Sequence, residues 1–343
     1  MVSTFIIAEA GVNHDGSLAK ALRLIDIAAE AGADAVKFQT FRTEEVTSRA
    51  APKAAYQQRE TGEGSQFEMI KRLELSDEDH AALARRAAER EIEFMSTPFA
   101  PWAVELLVGL GMKRIKIASG EIVNLPLIRT VARTGLPIIL STGMATMAEV
   151  ERAVGWIRAV WAEIGKPPAD DELTVLHCTS DYPTPARFVN LAAMTALGDT
   201  LGVPVGYSDH SEGTLVAVAA VARGARVIEK HFTEDRGAFG PDHSASLDPA
   251  GLRALVEAIR FTEAALGSAE KAPAANELAT RELVRRSAFA RRPIAAGETI
   301  TADALAFLRP GTGIGPERVD ELIGRSAARA IPADAMLSPD DLA

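Results

Sequence analysis

The chain has 343 residues, of which 47% are hydrophobic and 24% charged, the composition of a globular protein able to bury a sizeable core. That length suits a barrel of roughly 250 residues followed by a small extra module. The formal charge of −10 argues against nucleic acid as a partner, and it requires that any anionic ligand meet a local cluster of lysine, arginine or metal that overrides the global field.

No run of about 18 apolar residues occurs, so no membrane span is expected. Met1-Val2-Ser3-Thr4-Phe5 has no basic region and leads straight into a strand pattern, so no signal peptide is expected. The single cysteine, Cys178, excludes an internal disulfide framework and fits a reducing cytoplasm.

Residues 1–267 repeat one theme: a short apolar strand, a polar turn, an amphipathic helix, a glycine, then the next strand. Strands are predicted at 5–10, 35–40, 93–97, 114–119, 137–142, 173–178, 204–209 and 227–232. In the first helix Leu18, Leu22, Ile25 and Ala29 fall at helical spacing. Asp15 or Ser17 can cap its start, and Gly32 stops it, as Gly135 and Gly224 do before later strands. Eight such units in a row predict an α/β chain folded as a closed (β/α)8 TIM barrel. An open doubly wound sheet is the alternative, but no Gly-rich dinucleotide turn supports it. The long polar segment 42–67 is expected to lie over the barrel mouth.

After Gly267 the pattern changes. Residues 268–286, rich in Ala, Lys, Glu and Pro where they begin, read as a linker, and 287–343 as a small β-rich domain. The run from Ile294 to Leu305 (IAAGETITADAL) is echoed from Ile331 to Leu342 (IPADAMLSPDDL), which suggests an internal pseudo-symmetry.

In a barrel, strand side chains alternate between the interior and the helix layer. By that parity Glu9, Lys37, Gln39, Ser208, His210, Glu229 and His231 face inward near the C-terminal strand ends, where barrel active sites are built. Lys230 faces the helix layer. Strand four conflicts with itself: Lys116 shares a face with Ala118 and Gly120, but Ser119 shares one with Glu121, so a bulge or turn is needed. Buried charge is costly unless paired or coordinated. His210 and His231 end adjacent strands with the same parity, so their imidazoles can meet and hold a divalent cation; the alternative is a satisfied hydrogen-bond network. Glu229, one layer below, can orient a ligand. Lys37 and Lys116 supply positive charge, and Thr97, Ser119, Ser180 and Ser208 can complete a phosphate and carboxylate pocket. His14 and His177 read as structural, and His80, on a helix, as solvated.

These motifs resemble the sialic acid synthase family. They are AEAGVNH from Ala8, VKFQT from Val36, FMSTPF from Phe94, KIASGE from Lys116, LSTGM from Leu140, HCTSDYPTP from His177, GYSDH from Gly206, EKHFT from Glu229 and GPDH from Gly240. The C-terminal segment, with Arg309-Pro310-Gly311-Thr312-Gly313, resembles that family's antifreeze-like (SAF) domain. The resemblance implies a transferase that joins phosphoenolpyruvate to an N-acetylmannosamine-type sugar and water, giving N-acetylneuraminate and phosphate. The alternative product is N,N'-diacetyllegionaminate, from a diacetamido-trideoxy hexose. It implies a divalent metal, usually manganese, with magnesium or cobalt as alternatives, on His210 and His231. Lys37, Thr97, Lys116, Ser119, Ser180 and Ser208 match positions that hold phosphoenolpyruvate. Glu9, Gln39, Glu121, Tyr182 and Asp242 match the sugar site; Glu121, Glu9 and Asp242 are the candidates for proton transfer. Arg309 matches an arginine offered to the N-acetyl group across a swapped homodimer. The family often has asparagine where Ser180 and Thr312 stand. Two other readings are a Schiff-base aldolase, which needs an inward lysine of lowered pKa, and a non-catalytic sugar-binding protein.

Overall fold

The computed structural model describes residues 3–166 and 172–343. The strands of the first part are β1 (Phe5–Gly11), β2 (Ala35–Thr40), β3 (Glu93–Pro98), β4 (Ile115–Ile117), β5 (Ile138–Ser141), β6 (Leu173–Cys178), β7 (Val205–Asp209) and β8 (Val227–His231). They form one sheet in the order β3-β2-β1-β8-β7-β6-β5-β4, and every ladder in it is parallel. β3 and β4, the two ends of that order, pack side by side with no ladder between them among the described residues. The chain is thus an α/β (β/α)8 barrel followed by a small β-rich unit.

Two apolar layers hold the barrel. Ile7, Ala35, Met95, Ile139, Leu176 and Val227 fill the interior floor. The opposite faces of the same strands, including Val36, Phe38, Tyr207 and Ile228, pack under the helices. The first helix, Leu18–Glu30, shows how the outer layer forms. Ser17 accepts a hydrogen bond from the Lys20 amide and caps it, and Gly32, at φ +80°, lets the chain turn back to β2. Its buried face is Ala21, Leu24, Ile25, Ile27 and Ala28; Leu18, Leu22 and Ala29 flank it, half-buried. The face is therefore rotated from the leucine-marked stripe. His80 corrects the sequence reading as well. It is buried, at 1% exposure, because His80, Leu83 and Ala87 form the inner face of the helix Asp77–Glu89, and its Nδ1 lies 2.8 Å from the Ser76 carbonyl.

The second unit spans Ser268–Ala343. Residues 268–286, expected as a linker, carry the helix Leu278–Val284, and the Gly311 amide donates to the Glu282 carbonyl at 2.7 Å, which ties the segment to this unit. An antiparallel pair, β9 (Ser287–Ala290) and β10 (Leu305–Leu308), begins the domain. The sequence repeat has a structural counterpart. Ile294 and Ile331, which open the two copies, exchange both backbone hydrogen bonds and are both buried. Gly297 donates to Ala327, and its counterpart Asp334 donates to Ala290; both have positive φ. Each copy then closes on a short 3-10 turn, Ala302–Ala304 and Pro339–Asp341.

Candidate active site

A cavity of about 360 Å³ opens inside the barrel above the apolar floor. Glu9, Lys37, Gln39, Thr97, Lys116 and Ser119 line one side of it. Ser180, Tyr182, Ser208, His210, Glu229 and His231 line the other. Asp242 borders an adjoining hollow that shares His231 and Tyr182 with this one. One expected residue is placed differently. Glu121 sits in the 3-10 turn Ser119–Glu121 after β4, and its carboxylate accepts a 2.6 Å hydrogen bond from Asn124 rather than lining the cavity. That turn also resolves the conflict in strand four, because the strand ends at Ile117 before Ser119 is reached. Arg309 lies in the second unit, exposed after β10.

The buried charges form a connected set. Lys37 Nζ is 2.7 Å from Glu9 Oε2 and 3.6 Å from Glu229 Oε2, and it donates to Thr97 Oγ1 at 3.0 Å. Lys116 Nζ is 3.4 Å from Glu229 Oε1, which also accepts from Ser208 Oγ at 2.9 Å. Burial pulls Lys37 down, but Glu229 and Glu9 outweigh it and hold the ammonium firmly charged. Burial lifts the Glu229 carboxyl, but Lys116 and Lys37 together outweigh that and keep it ionised. Burial raises Glu9 above the usual carboxylate range, against the pull of Lys37. Burial lowers Lys116. Two lysines thus stand beside Glu9 and Glu229 at one spot, the local cationic cluster that an anion site in a chain of charge −10 requires.

The two histidines differ in how they are held. His210 Nδ1 lies 2.7 Å from the Thr179 carbonyl, which can only accept, so Nδ1 carries the proton and the Nε2 lone pair is free. Nε2 meets the Tyr182 hydroxyl at 3.1 Å. Burial pushes His210 down to about 4 and His231 well below its usual range, so both imidazoles are neutral. His231 Nδ1 is buried without a hydrogen-bond partner, 3.9 Å from Asp242 Oδ2, and burial lifts Asp242 to about 6. The ring centres are 5.6 Å apart. A fixed tautomer on one imidazole and an orphaned nitrogen on the other suit a divalent cation. No group of three or more His, Cys, Asp or Glu with metal-holding geometry occurs among the described residues, so two imidazoles would leave most positions to waters and substrate.

Behind the histidines, in the helix layer, Lys230 Nζ lies 2.9 Å from Asp209 Oδ2 and donates to the Ser211 carbonyl. Both side chains of this pair are fully buried. This lysine points away from the cavity, as its parity predicted.

Several neighbours carry no site role in the sequence reading. Ser141 lines the cavity, and strand parity with Ile139 could have found it. Gly143 has no strand signal: a Cβ there would meet Ser180 Oγ at 2.4 Å, Ser119 Oγ at 2.9 Å and Cys178 Sγ at 3.0 Å. Only glycine lets these three groups converge. The segment over the mouth holds the helices Thr43–Val46, Ala55–Thr61 and Gln66–Lys71. From it Tyr56 stacks 5.0 Å from Tyr182, and Arg59 donates to the Tyr182 carbonyl at 3.0 Å.

Comparison with known proteins adds the relatives. Over 98% of this chain and 94% of its own length, the N,N'-diacetyllegionaminic acid synthase of Legionella pneumophila is 47% identical. The enzyme of the same name from Campylobacter jejuni is 43% identical over 98% and 99% of the two chains. A crystal structure of N-acetylneuraminic acid synthetase from Leptospira borgpetersenii, in complex with citrate, superposes with a TM-score of 0.70 at 35% identity, covering 81% of this chain and 90% of that one. The SAF domain matches residues 285–343 and the NeuB family matches residues 24–271. With a charged barrel mouth and these two matches in chain order, the protein belongs to the NeuB family of nonulosonate synthases and carries a C-terminal SAF domain.

Proposed function

We propose that this enzyme condenses phosphoenolpyruvate with a 2,4-diacetamido-2,4,6-trideoxy hexose and water to give N,N'-diacetyllegionaminate and phosphate. The convergence of two buried lysines and two neutral imidazoles on one cavity carries the reaction class. Full-length similarity to two synthases of that product favours this sugar over N-acetylmannosamine.

In this reading Lys37 and Lys116, with Thr97, Ser119, Ser180 and Ser208, hold the phosphate and carboxylate of phosphoenolpyruvate. His210 and His231 would hold a divalent cation, manganese, magnesium or cobalt, which supplies Lewis-acid polarisation of the sugar aldehyde when bound. The methylene carbon of phosphoenolpyruvate bonds to the aldehyde carbon, whose oxygen takes a proton and becomes a hydroxyl. Water adds to the former enol carbon and loses a proton. The C–O bond to phosphate then breaks: phosphate leaves with that electron pair and takes the remaining hydroxyl proton as the carbon becomes the keto carbonyl. Glu9, made more basic by burial, takes the proton from water, and Asp242, lifted to about 6, delivers one to the aldehyde oxygen as it becomes the hydroxyl. Gln39 and Tyr182 orient the sugar. Arg309 serves the N-acetyl group across a swapped homodimer.

The deciding experiment measures phosphate release from phosphoenolpyruvate with each sugar, with and without EDTA. Faster release with the diacetamido sugar, abolished by EDTA and restored by manganese, is expected. Release without any sugar would overturn the reading in favour of a phosphatase, and borohydride-trappable pyruvate that EDTA does not affect would overturn it in favour of an aldolase.

A further inference from the structure

The catalytic cavity has a side chamber whose apolar end the chemistry above does not use. It holds about 160 Å³ and shares Gln39, Tyr56, Gln57, Phe99, Tyr182 and His231 with the main cavity. Beyond that shared edge its walls are apolar: Val12, Phe41, Met69, Ile70 and Leu73, with Val46 and Pro241. Asp242 is the one exception. The walls are built rather than incidental. Val12, Phe41 and Leu73 form a separate buried cluster against which Ile70 and Phe99 pack, and the Phe41 and Phe99 rings meet edge to face at 6.1 Å. Among the described residues no lysine or arginine lines the chamber. Phosphoenolpyruvate carries a charge at each end and has no group that suits it.

We infer that this chamber is the specificity pocket for the deoxygenated end of the hexose, receiving its C6 methyl and the methyl of its C4 acetamido group. The inference rests on the sugar assignment proposed above. Two features of the geometry carry it. The chamber opens beside His231 and Tyr182, so a six-carbon chain with its aldehyde near the histidines can reach inside. Apart from Asp242, its far walls also offer no side-chain hydrogen-bond partner among the described residues. A hydroxymethyl group pushed there loses water without replacement, whereas a methyl gains contact. Apolar pockets of this kind discriminate by roughly ten- to two-hundredfold per group. Met69 and Ile70, both half-buried on the helix Gln66–Lys71, are then specificity residues supplied by the segment over the mouth.

The test uses the full-length protein and two variants of near-equal shape, Met69→Gln and Ile70→Thr. Steady-state phosphate release is measured with the diacetamido-trideoxy hexose and with N-acetylmannosamine. Binding of the two corresponding reduced, open-chain alditols is measured by calorimetry. In each variant the kcat/KM ratio of deoxy to hydroxylated sugar should fall about tenfold, mainly through KM for the deoxy sugar, with KM for phosphoenolpyruvate unchanged. Parallel changes for both sugars, or an unchanged ratio, would overturn the pocket. A wild-type preference for N-acetylmannosamine would also overturn it while leaving the enzyme class intact. If neither sugar turns over, the functional reading fails and the alditols still decide: tighter binding of the deoxy alditol, lost in the variants, upholds the pocket, and equal binding refutes it.

Discussion

The floor and the mouth of the barrel are made by the same strands on the same face, one pleat apart. Ile7 precedes Glu9, Ala35 precedes Lys37, Met95 precedes Thr97, Ile139 precedes Ser141 and Val227 precedes Glu229. Two residues of strand advance the chain by about 6.6 Å. Over that distance the interior changes from hydrocarbon to ion pairs. The floor stabilises the fold through burial. The mouth works against it, because ions removed from water recover their solvation only through good partners. Substitution in the floor should therefore cost stability alone, whereas substitution in the mouth should cost rate or substrate affinity, and four experiments test that division.

The largest effect belongs to the histidines. His231→Ala should lower kcat for phosphate release by roughly 10²–10³-fold or more, while thermal unfolding shows an intact fold. A variant that unfolds in step with its loss of rate would place His231 with the floor. Next is Lys37→Met, which leaves Glu9 and Glu229 buried without their shared cation. It should destabilise the protein by about 3–5 kcal/mol in urea and raise KM for phosphoenolpyruvate. Loss of stability with an unchanged KM would remove Lys37 from the anion site.

Met95→Ala probes the floor, where the side chain is fully buried. A cost of about 2–5 kcal/mol is expected, with the rate per folded molecule unchanged. A fall in that rate would show that the two layers are coupled. The smallest effect concerns Asp242, which burial lifts from an ordinary 3.8 to about 6. A carboxyl raised in the folded state favours folding while protonated, and that advantage is lost as pH rises through the folded value. Metal-free wild type should therefore lose up to about 3 kcal/mol relative to Asp242→Asn between pH 4 and 7. A difference in unfolding free energy that does not vary with pH would sink the assignment.

The barrel was legible because its signals are local: period-2 strands, helical stripes and glycine stops. Parity then located Glu9, Lys37, Glu229 and the two histidines, since a strand sends side chains to a fixed side. What escaped depends on contacts distant in sequence. The chamber beside His231 gathers Val12, Phe41, Leu73 and Pro241 from separate loops, and no window of sequence holds them together. Glu121 was placed in the site by resemblance, but a neighbour three residues away, Asn124, takes its carboxylate. His80 looked solvated because a lone histidine on a polar helix carries no sign of which face is inner. The C-terminal repeat was readable because its two copies share a local sequence pattern; their meeting at Ile294 and Ile331 was not.

The ends of the sheet order have a dynamic consequence. β3 and β4 touch without a ladder, so the barrel has a seam, and Thr97 stands on one lip while Lys116 and Ser119 stand on the other. An anion gripped by all three would bridge strands that the backbone leaves unjoined. Amide hydrogens of 93–98 and 115–117 should then exchange more slowly once phosphoenolpyruvate binds, while those of β7 and β8, already laddered, change little. The substrate would act as the barrel's missing rung.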